Sequence, residues 1–382
     1  MTSQIKNYKI MNYTLFFLFI LIIIIKSPCT LYLGRSENGL EVFYNFALEN
    51  SFIDTLFYVY SEAKYFELWT NLSAIIVSLV PFESYFVTVY LALVIKVLLL
   101  YYIFFCNSSL LISTFHKLLF ASFSIFSTGI TPEIWLTTLH SKNFFAILTF
   151  LMFFQNFNDF NRKKYFIYRL GLILNGFSSI YSSILAPLFF YKYIIEKKKN
   201  YFYNFVSSAI PLITNLYIFF YFSLKPSAIN DRFVIELDKI INLIYSVFIR
   251  PILGGNLSNI IFKNFNFTDL KVLVLILFSI TIFFIVSLVY CFRKKDQTIN
   301  FILLALFLNI FLILLGAQYP NFAGGRYAVL SSIIFLTLFL RLLQIENKTF
   351  LNHSFFAIIF VSLAIGLAEF RYFNQWMYLL KC

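Results

Sequence analysis

Seven of the seventeen acidic residues of this chain fall between residues 34 and 83: Glu37, Glu41, Glu49, Asp54, Glu62, Glu67 and Glu83. A carboxylate shielded from water has a raised pKa and can take a proton from a hydroxyl during a transfer reaction. Glu37 and Glu41 lie nearest the end of the first hydrophobic run, with Phe43 and Tyr44 as aromatic neighbours. They are the leading candidates for a general base, and Asp54 is next. Glu62 and Glu67 read equally well as surface charge. For any one of these acids the plain reading is a solvated loop residue, but their concentration in one loop argues for a shared role.

Two further groups could meet an anion. Gly324-Gly325-Arg326-Tyr327 opens a late hydrophobic run, and Arg326 is the only basic residue between Lys295 and Arg341. Arginine presents a rigid fork of donors suited to phosphate, and glycines let a backbone come close to a ligand. The plain alternative is an arginine snorkelling to the membrane interface. Residues 131–142 place Glu133, Trp135, His140 and Lys142 at the mouth of another hydrophobic run. His140 could carry a proton or touch a phosphate, or it could simply be a packed or solvated helix-end residue. Trp135 reads as a belt aromatic or as a substrate platform.

These groups need a frame, and the composition supplies it. Hydrophobic residues make up 60% of the chain and charged residues 12%, against about a quarter charged in a soluble domain. The mean hydropathy is +0.82. This is the composition of an integral membrane protein. The runs 11–25 and 272–292 approach or reach the ~20 apolar residues that a crossing needs. The net charge of +13 sits largely in clusters between apolar runs, as the positive-inside rule expects, and does not point to nucleic acid. The four cysteines, Cys29, Cys106, Cys291 and Cys382, are far apart and suggest neither a metal nor a disulfide framework. The 53 Phe and 26 Tyr fit AT-rich coding and mark no binding site by themselves.

The expected fold is all-α: one integral membrane domain over 1–382, a polytopic transmembrane bundle of about 11 spans. Span one, 11–32, is an uncleaved signal anchor running outward from a cytoplasmic N-terminus. The acidic loop 34–83 is then external. Within it, 41–57 reads as an amphipathic helix, with Glu41, Asn45 and Glu49 on the polar face. That helix and a second one over 67–80 are expected to lie along the membrane surface. Further spans are expected at 84–105, 110–128, 142–155, 201–222, 271–292, 298–316, 327–343 and 350–368. Residues 165–192 are too polar in the middle for one clean span and read as two short, broken helices. Residues 223–270 form a second large external loop. Lys6, Lys9, Arg162–Lys164, Lys197–Lys199, Arg293–Lys295, Arg341 and Lys348 all then fall on the cytoplasmic side. No P-loop, GxGxxG, HExxH, nucleophile elbow or CxxC pair occurs.

With this layout the chain resembles the GT-C membrane glycosyltransferases, most nearly their bacterial polytopic branch. Glu37-Asn38-Gly39 approaches that family's acidic first-loop motif, Trp135–Lys142 its fourth-span entry, and Gly325-Arg326-Tyr327-Ala328 its late Gly-Arg-Tyr. Asn38 stands where the family has Asp, and His140 and Lys142 replace amides. The resemblance implies inverting transfer of a sugar from a polyprenyl-phosphate donor to a glycan, lipid or protein acceptor outside the cytoplasm. Glu41 or Glu37 would be the base, and Arg326 the phosphate clamp, supported by His140, Lys142, Tyr327 and Glu133. No cofactor is implied, since the lipid phosphate is its own leaving group; a divalent metal is possible but not indicated. The implied partners are the bilayer, the donor and the acceptor, in a bacterial inner membrane.

Two rivals stand beside this reading. An O-antigen-type polymerase would carry an arginine-rich late loop, whereas 223–270 holds only Arg232 and Arg250. A lipid-linked saccharide flippase or transporter would need ionisable residues within the spans; Lys96 and His116-Lys117 are candidates, with no acid in those spans.

Overall fold

A computed structural model describes residues 2–26, 40–61, 64–80, 86–126, 135–158, 160–223, 240, 243–254, 296–316, 328–345 and 349–372. Helix α1 (Thr2–Lys26) leads to an acidic unit built from α2 (Leu40–Glu49), α3 (Phe52–Leu56), a hairpin of β1 (Val59–Tyr60) and β2 (Tyr65–Phe66), and α4 (Leu68–Ser78). Next come α5 (Phe86–Phe105) and α6 (Thr114–Phe126), then a 3-10 turn, Leu139–Ser141, that runs into α7 (Lys142–Phe153). Helices α8 (Arg162–Ser178), α9 (Ile180–Ser183), α10 (Ala186–Glu196) and α11 (Lys199–Ser223) follow. The last part holds a π-helical turn, Tyr245–Ile249, with α12 (Arg250–Leu253), α13 (Gln297–Gly316), α14 (Val329–Ile345) and α15 (Thr349–Tyr372).

The described chain is mostly helical, and four of its helices are long and apolar enough to cross a membrane. They are Tyr8–Ile25 within α1, Val87–Phe105 within α5, Lys199–Ser223 and Gln297–Leu315. The spans expected at 110–128, 142–155 and 327–343 fall on α6, α7 and α14, which have 13, 12 and 17 residues. Those lengths are short of the ~20 residues of a full crossing. Helix α14 is buried at every position from Val329 to Leu340, and a helix that is apolar all round belongs in a core. Its centre packs ring against ring: Phe335 meets Phe339 edge-on at 5.0 Å and Phe248 edge-on at 5.1 Å. In lipid such contacts bring close packing rather than escape from water. The span expected at 271–292 lies outside the described residues.

The polar middle of 165–192 is where the helix breaks. Ser179 is extended, at φ −158 and ψ 121, and its side chain caps α9 by accepting from the Ser182 N–H. Helices α8 and α11 nevertheless pack closely, because Gly176 faces Pro211: a Cβ there would sit 2.6 Å from the proline Cγ.

Polar contacts sort the helix ends. Asn12 donates to Phe104 O at 3.1 Å and accepts from Thr114 at 3.1 Å, and Lys117 donates to the same carbonyl at 2.7 Å. Gln344 reaches Leu110 O at 2.9 Å, and Arg341 pairs with Asp296 at 2.8 Å. Lys192 donates to Phe153 O at 3.2 Å, and Arg169 bonds Asn200 at 3.2 Å. These contacts gather the cationic ends of α8, α10, α11 and α14 at one end of the bundle. Lys142, eleven residues before Phe153 on α7, lies at the other, about 17 Å away along the helix.

The acidic unit corrects two expectations. Residues 41–57 do not form one helix, because Ser51 ends the first piece and caps α3. Helix α4 does not lie on the surface: Thr70, Asn71, Ser73, Ala74, Ile75 and Val77 are buried, packed against α2, α5 and α8. The short hairpin, pairing Val59 with Phe66 and Tyr60 with Tyr65, adds two strands to the helices expected there.

Candidate functional site

The acidic unit is tied to the bundle by a buried ion pair. Glu67 precedes α4, where the N–H groups of the first helical turn favour a negative charge. Lys142 begins α7, where a helix N-terminus disfavours a cation, so its ammonium needs a carboxylate to offset both the dipole and burial. It finds one: Lys142 Nζ donates to Glu67 Oε1 at 2.7 Å and to the Tyr65 hydroxyl at 2.7 Å. The Thr70 hydroxyl donates to Glu67 Oε2 at 2.9 Å. The two side chains are 12% and 3% exposed. The Phe66 N–H donates to Asn215 Oδ1 on α11 at 3.0 Å, and Lys64 reaches Ser223 at 3.4 Å. Asn71 steadies the unit from within, donating to Leu56 O and Tyr58 O at 3.0 and 2.8 Å.

A second buried lysine lies in α5. Lys96, in the middle of α5, is 1% exposed. Its Nζ stands 3.5 Å from the centre of the Trp135 ring and 4.4 Å from that of Phe144. It has no hydrogen-bond partner among the described residues. The next residue, Leu136, has φ +50, a left-handed conformation that costs a leucine about 1–2 kcal/mol. That turn carries the chain from Trp135 over Lys96 to Lys142 beside Glu67, so one short strained segment serves both lysines.

The structure describes four of the eight residues named from sequence. Glu41 is exposed on α2, while Phe43 and Tyr44 are buried beneath that helix, so the expected aromatic shielding of Glu41 does not occur. Asp54 has a structural role: it accepts from Ser51 Oγ at 2.6 Å while its N–H donates back to that oxygen at 3.2 Å. His140 is half-buried in the 3-10 turn, where its carbonyl accepts from Asn143 at 3.3 Å. Lys142 is committed to Glu67 and Tyr65 rather than open to a phosphate. Glu37, Glu133, Arg326 and Tyr327 lie outside the described residues. The arrangement thus brings His140 and Lys142 together on one turn, and joins that turn to the unit that carries Glu41 and Asp54.

Sequence reasoning did not single out Glu67, which reads equally well as surface charge. The signal was opposite charges at the starts of two apolar helices, with nothing local to pair them. Among the described residues, no group of three or more His, Cys, Asp or Glu side chains is clustered as a metal site would be. Comparison with known protein families, curated proteins and solved structures finds no match to this chain.

Proposed function

We propose that the protein is a membrane glycosyltransferase of the GT-C kind, moving a sugar from a polyprenyl-phosphate donor to a cell-envelope glycan, lipid or protein. The layout of about 11 spans, a cytoplasmic N-terminus and a bacterial inner-membrane location belong to the same proposal. A carboxylate of the first loop, Glu41 or Glu37, takes the proton of the acceptor hydroxyl. The freed oxygen attacks the anomeric carbon, the bond from that carbon to the phosphate oxygen breaks, and the configuration inverts. Arg326, supported by His140, holds the departing lipid phosphate, and Tyr327 and Glu133 contact the rest of the substrate. Lys142, bound to Glu67, acts by fixing the turn that carries His140.

The observation that supports this reading best is the buried Glu67–Lys142 pair. It makes the acid-rich first loop a folded unit held at one bundle end, as a loop that presents a base to a membrane-borne substrate must be. The exposed position of Glu41 leaves that carboxylate reachable by an acceptor. The test replaces Glu37, Glu41 and Arg326 one at a time in the source cell and compares its envelope glycans and glycolipids. Loss or truncation with Arg326→Ala and with one of Glu37→Gln and Glu41→Gln is expected. Unchanged profiles from normally inserted variants would overturn the assignment. One observation favours a different reading, a lipid-linked saccharide flippase: Lys96 is an ionisable side chain inside a span-length helix. Movement of labelled lipid-linked saccharide across vesicles without sugar transfer, lost in Lys96→Met, would select it.

A further inference from the structure

Helix α3 carries an apolar ridge that the rest of the described protein does not cover. Phe52, Ile53 and Phe57 are 59%, 66% and 65% exposed, and Leu48 at the end of α2 is 57% exposed. At 100° per residue, Phe52, Leu56 and Ile53 share one side of α3, and Phe57, exposed like Phe52 and Ile53, follows as its C-cap. Thr55, buried, points to the opposite side, and Asp54 lies at the edge. The ridge is thus the outward face of a helix whose inner face is already packed. Contiguous exposed rings of this kind mark an interaction surface.

The depth of the ridge says what covers it. Phe57 stacks on Phe66 with ring centres 6.5 Å apart and planes at 16°, and Phe66 in turn meets Phe177 at 5.8 Å. The Phe66 N–H is bonded to Asn215, which is eight residues before the end of α11. Eight residues of helix are about 12 Å, so this part of the unit lies well below the tip of α11. From that level towards its tip α11 turns Ile213, Tyr217, Phe220 and Tyr221 outward, each more than half exposed. Tyrosines there, with Tyr217 and Tyr221 stacked at 6.2 Å, are the composition of a membrane–water interface. The ridge therefore overlaps in depth with the exposed aromatic belt of a span-length helix. Around it, Glu49 and Asp54 are exposed, as polar groups at the headgroup level would be.

We infer that Leu48, Phe52, Ile53 and Phe57 sit in the lipid interface of the leaflet on the Lys142 side, at the boundary of headgroups and acyl chains. The occupant is the bilayer itself. The 40–80 unit is then held from two sides, by Glu67–Lys142 on the bundle and by this ridge on the lipid. This inference does not depend on the proposed transfer chemistry.

The test is spin-label accessibility in nanodiscs of phosphatidylethanolamine and phosphatidylglycerol. Single cysteines replace Ile53, Phe57 or Glu49 in a full-length chain whose four native cysteines are serine. Ile53→Cys and Phe57→Cys should collide with oxygen more than Glu49→Cys does, and with a water-soluble nickel complex several-fold less. High nickel collision at 53 and 57 would place the ridge in water. Low collision with both reagents would place it against protein, a second copy included. Either outcome overturns the inference. If the serine background does not fold, Phe57→Trp and Glu49→Trp in the native chain replace it. Brominated lipid should then quench the added fluorescence at 57 several-fold more than at 49, and equal quenching would refute the ridge.

Discussion

Removing one member of the Glu67–Lys142 pair should loosen the acidic unit far more than removing both. Glu67→Ala leaves the Lys142 ammonium, 12% exposed, with the Tyr65 hydroxyl as its remaining partner in this cluster. Lys142→Ala leaves a carboxylate that is 3% exposed with the Thr70 hydroxyl. Stranding one member of a buried pair costs about 3–5 kcal/mol, whereas a well-packed apolar replacement of both is often neutral. The double variant Glu67→Leu/Lys142→Met should therefore fall well short of the sum of the two single losses, with a coupling of about 3 kcal/mol. The reporter is the Phe66 amide, whose bond to Asn215 exists only while the unit is docked. Hydrogen exchange at that amide, in the protein reconstituted in nanodiscs, should speed up by about two to four powers of ten in either single variant, at 1.36 kcal/mol per tenfold. The double variant should recover most of that protection. Less than a tenfold change in the single variants, or simple additivity in the double, would refute the claim that this pair docks the unit.

Further expectations follow from other contacts. Gly176→Leu must push α8 from α11 at Pro211, and overpacking of this kind costs about 1–3 kcal/mol, read as a lower melting temperature in detergent. Ser51→Ala should cost about 1 kcal/mol of local stability through the lost cap. If Asp54 acts by capping, Asp54→Ala should match it in both stability and activity, while a much larger activity loss in Asp54→Ala alone would restore a chemical role. Burial of Asp296 works against its charge, but hydrogen bonds from Arg341 and the Ile299 N–H outweigh that and hold its carboxyl below the ordinary value. A depressed native pKa contributes stability that is complete above the unfolded value, about 3.9, and is lost as pH falls through the native one. Melting temperature should thus drop in that acid window, and Arg341→Met should flatten the drop; an unchanged acid slope would refute the pair's role.

The long spans were legible because a run of ~20 apolar residues has few alternatives. The break near Ser179 was legible because Asn175, Ser178 and Ser179 interrupt such a run. Helices α6, α7 and α14 were harder, since a core helix and a crossing helix carry the same apolar residues and differ mainly in length. The capping pattern Ser51-x-x-Asp54 is a helix-start signal, and reading Asp54 for chemistry passed over it. Glu67 was hard to read for a different reason. Its partner is 75 residues away, and no local periodicity encodes a contact at that separation. The strands 59–60 and 65–66 are too short for alternation to register.

We propose that a first-loop carboxylate and the Arg326 guanidinium face one pocket across which a sugar is transferred. Paired cysteines at Glu41 and Arg326, treated in native membranes with bifunctional thiol reagents of increasing length, test that geometry directly. Efficient bridging by the shortest reagents is expected. Bridging confined to the longest reagents, or none in a correctly inserted chain, would contradict it.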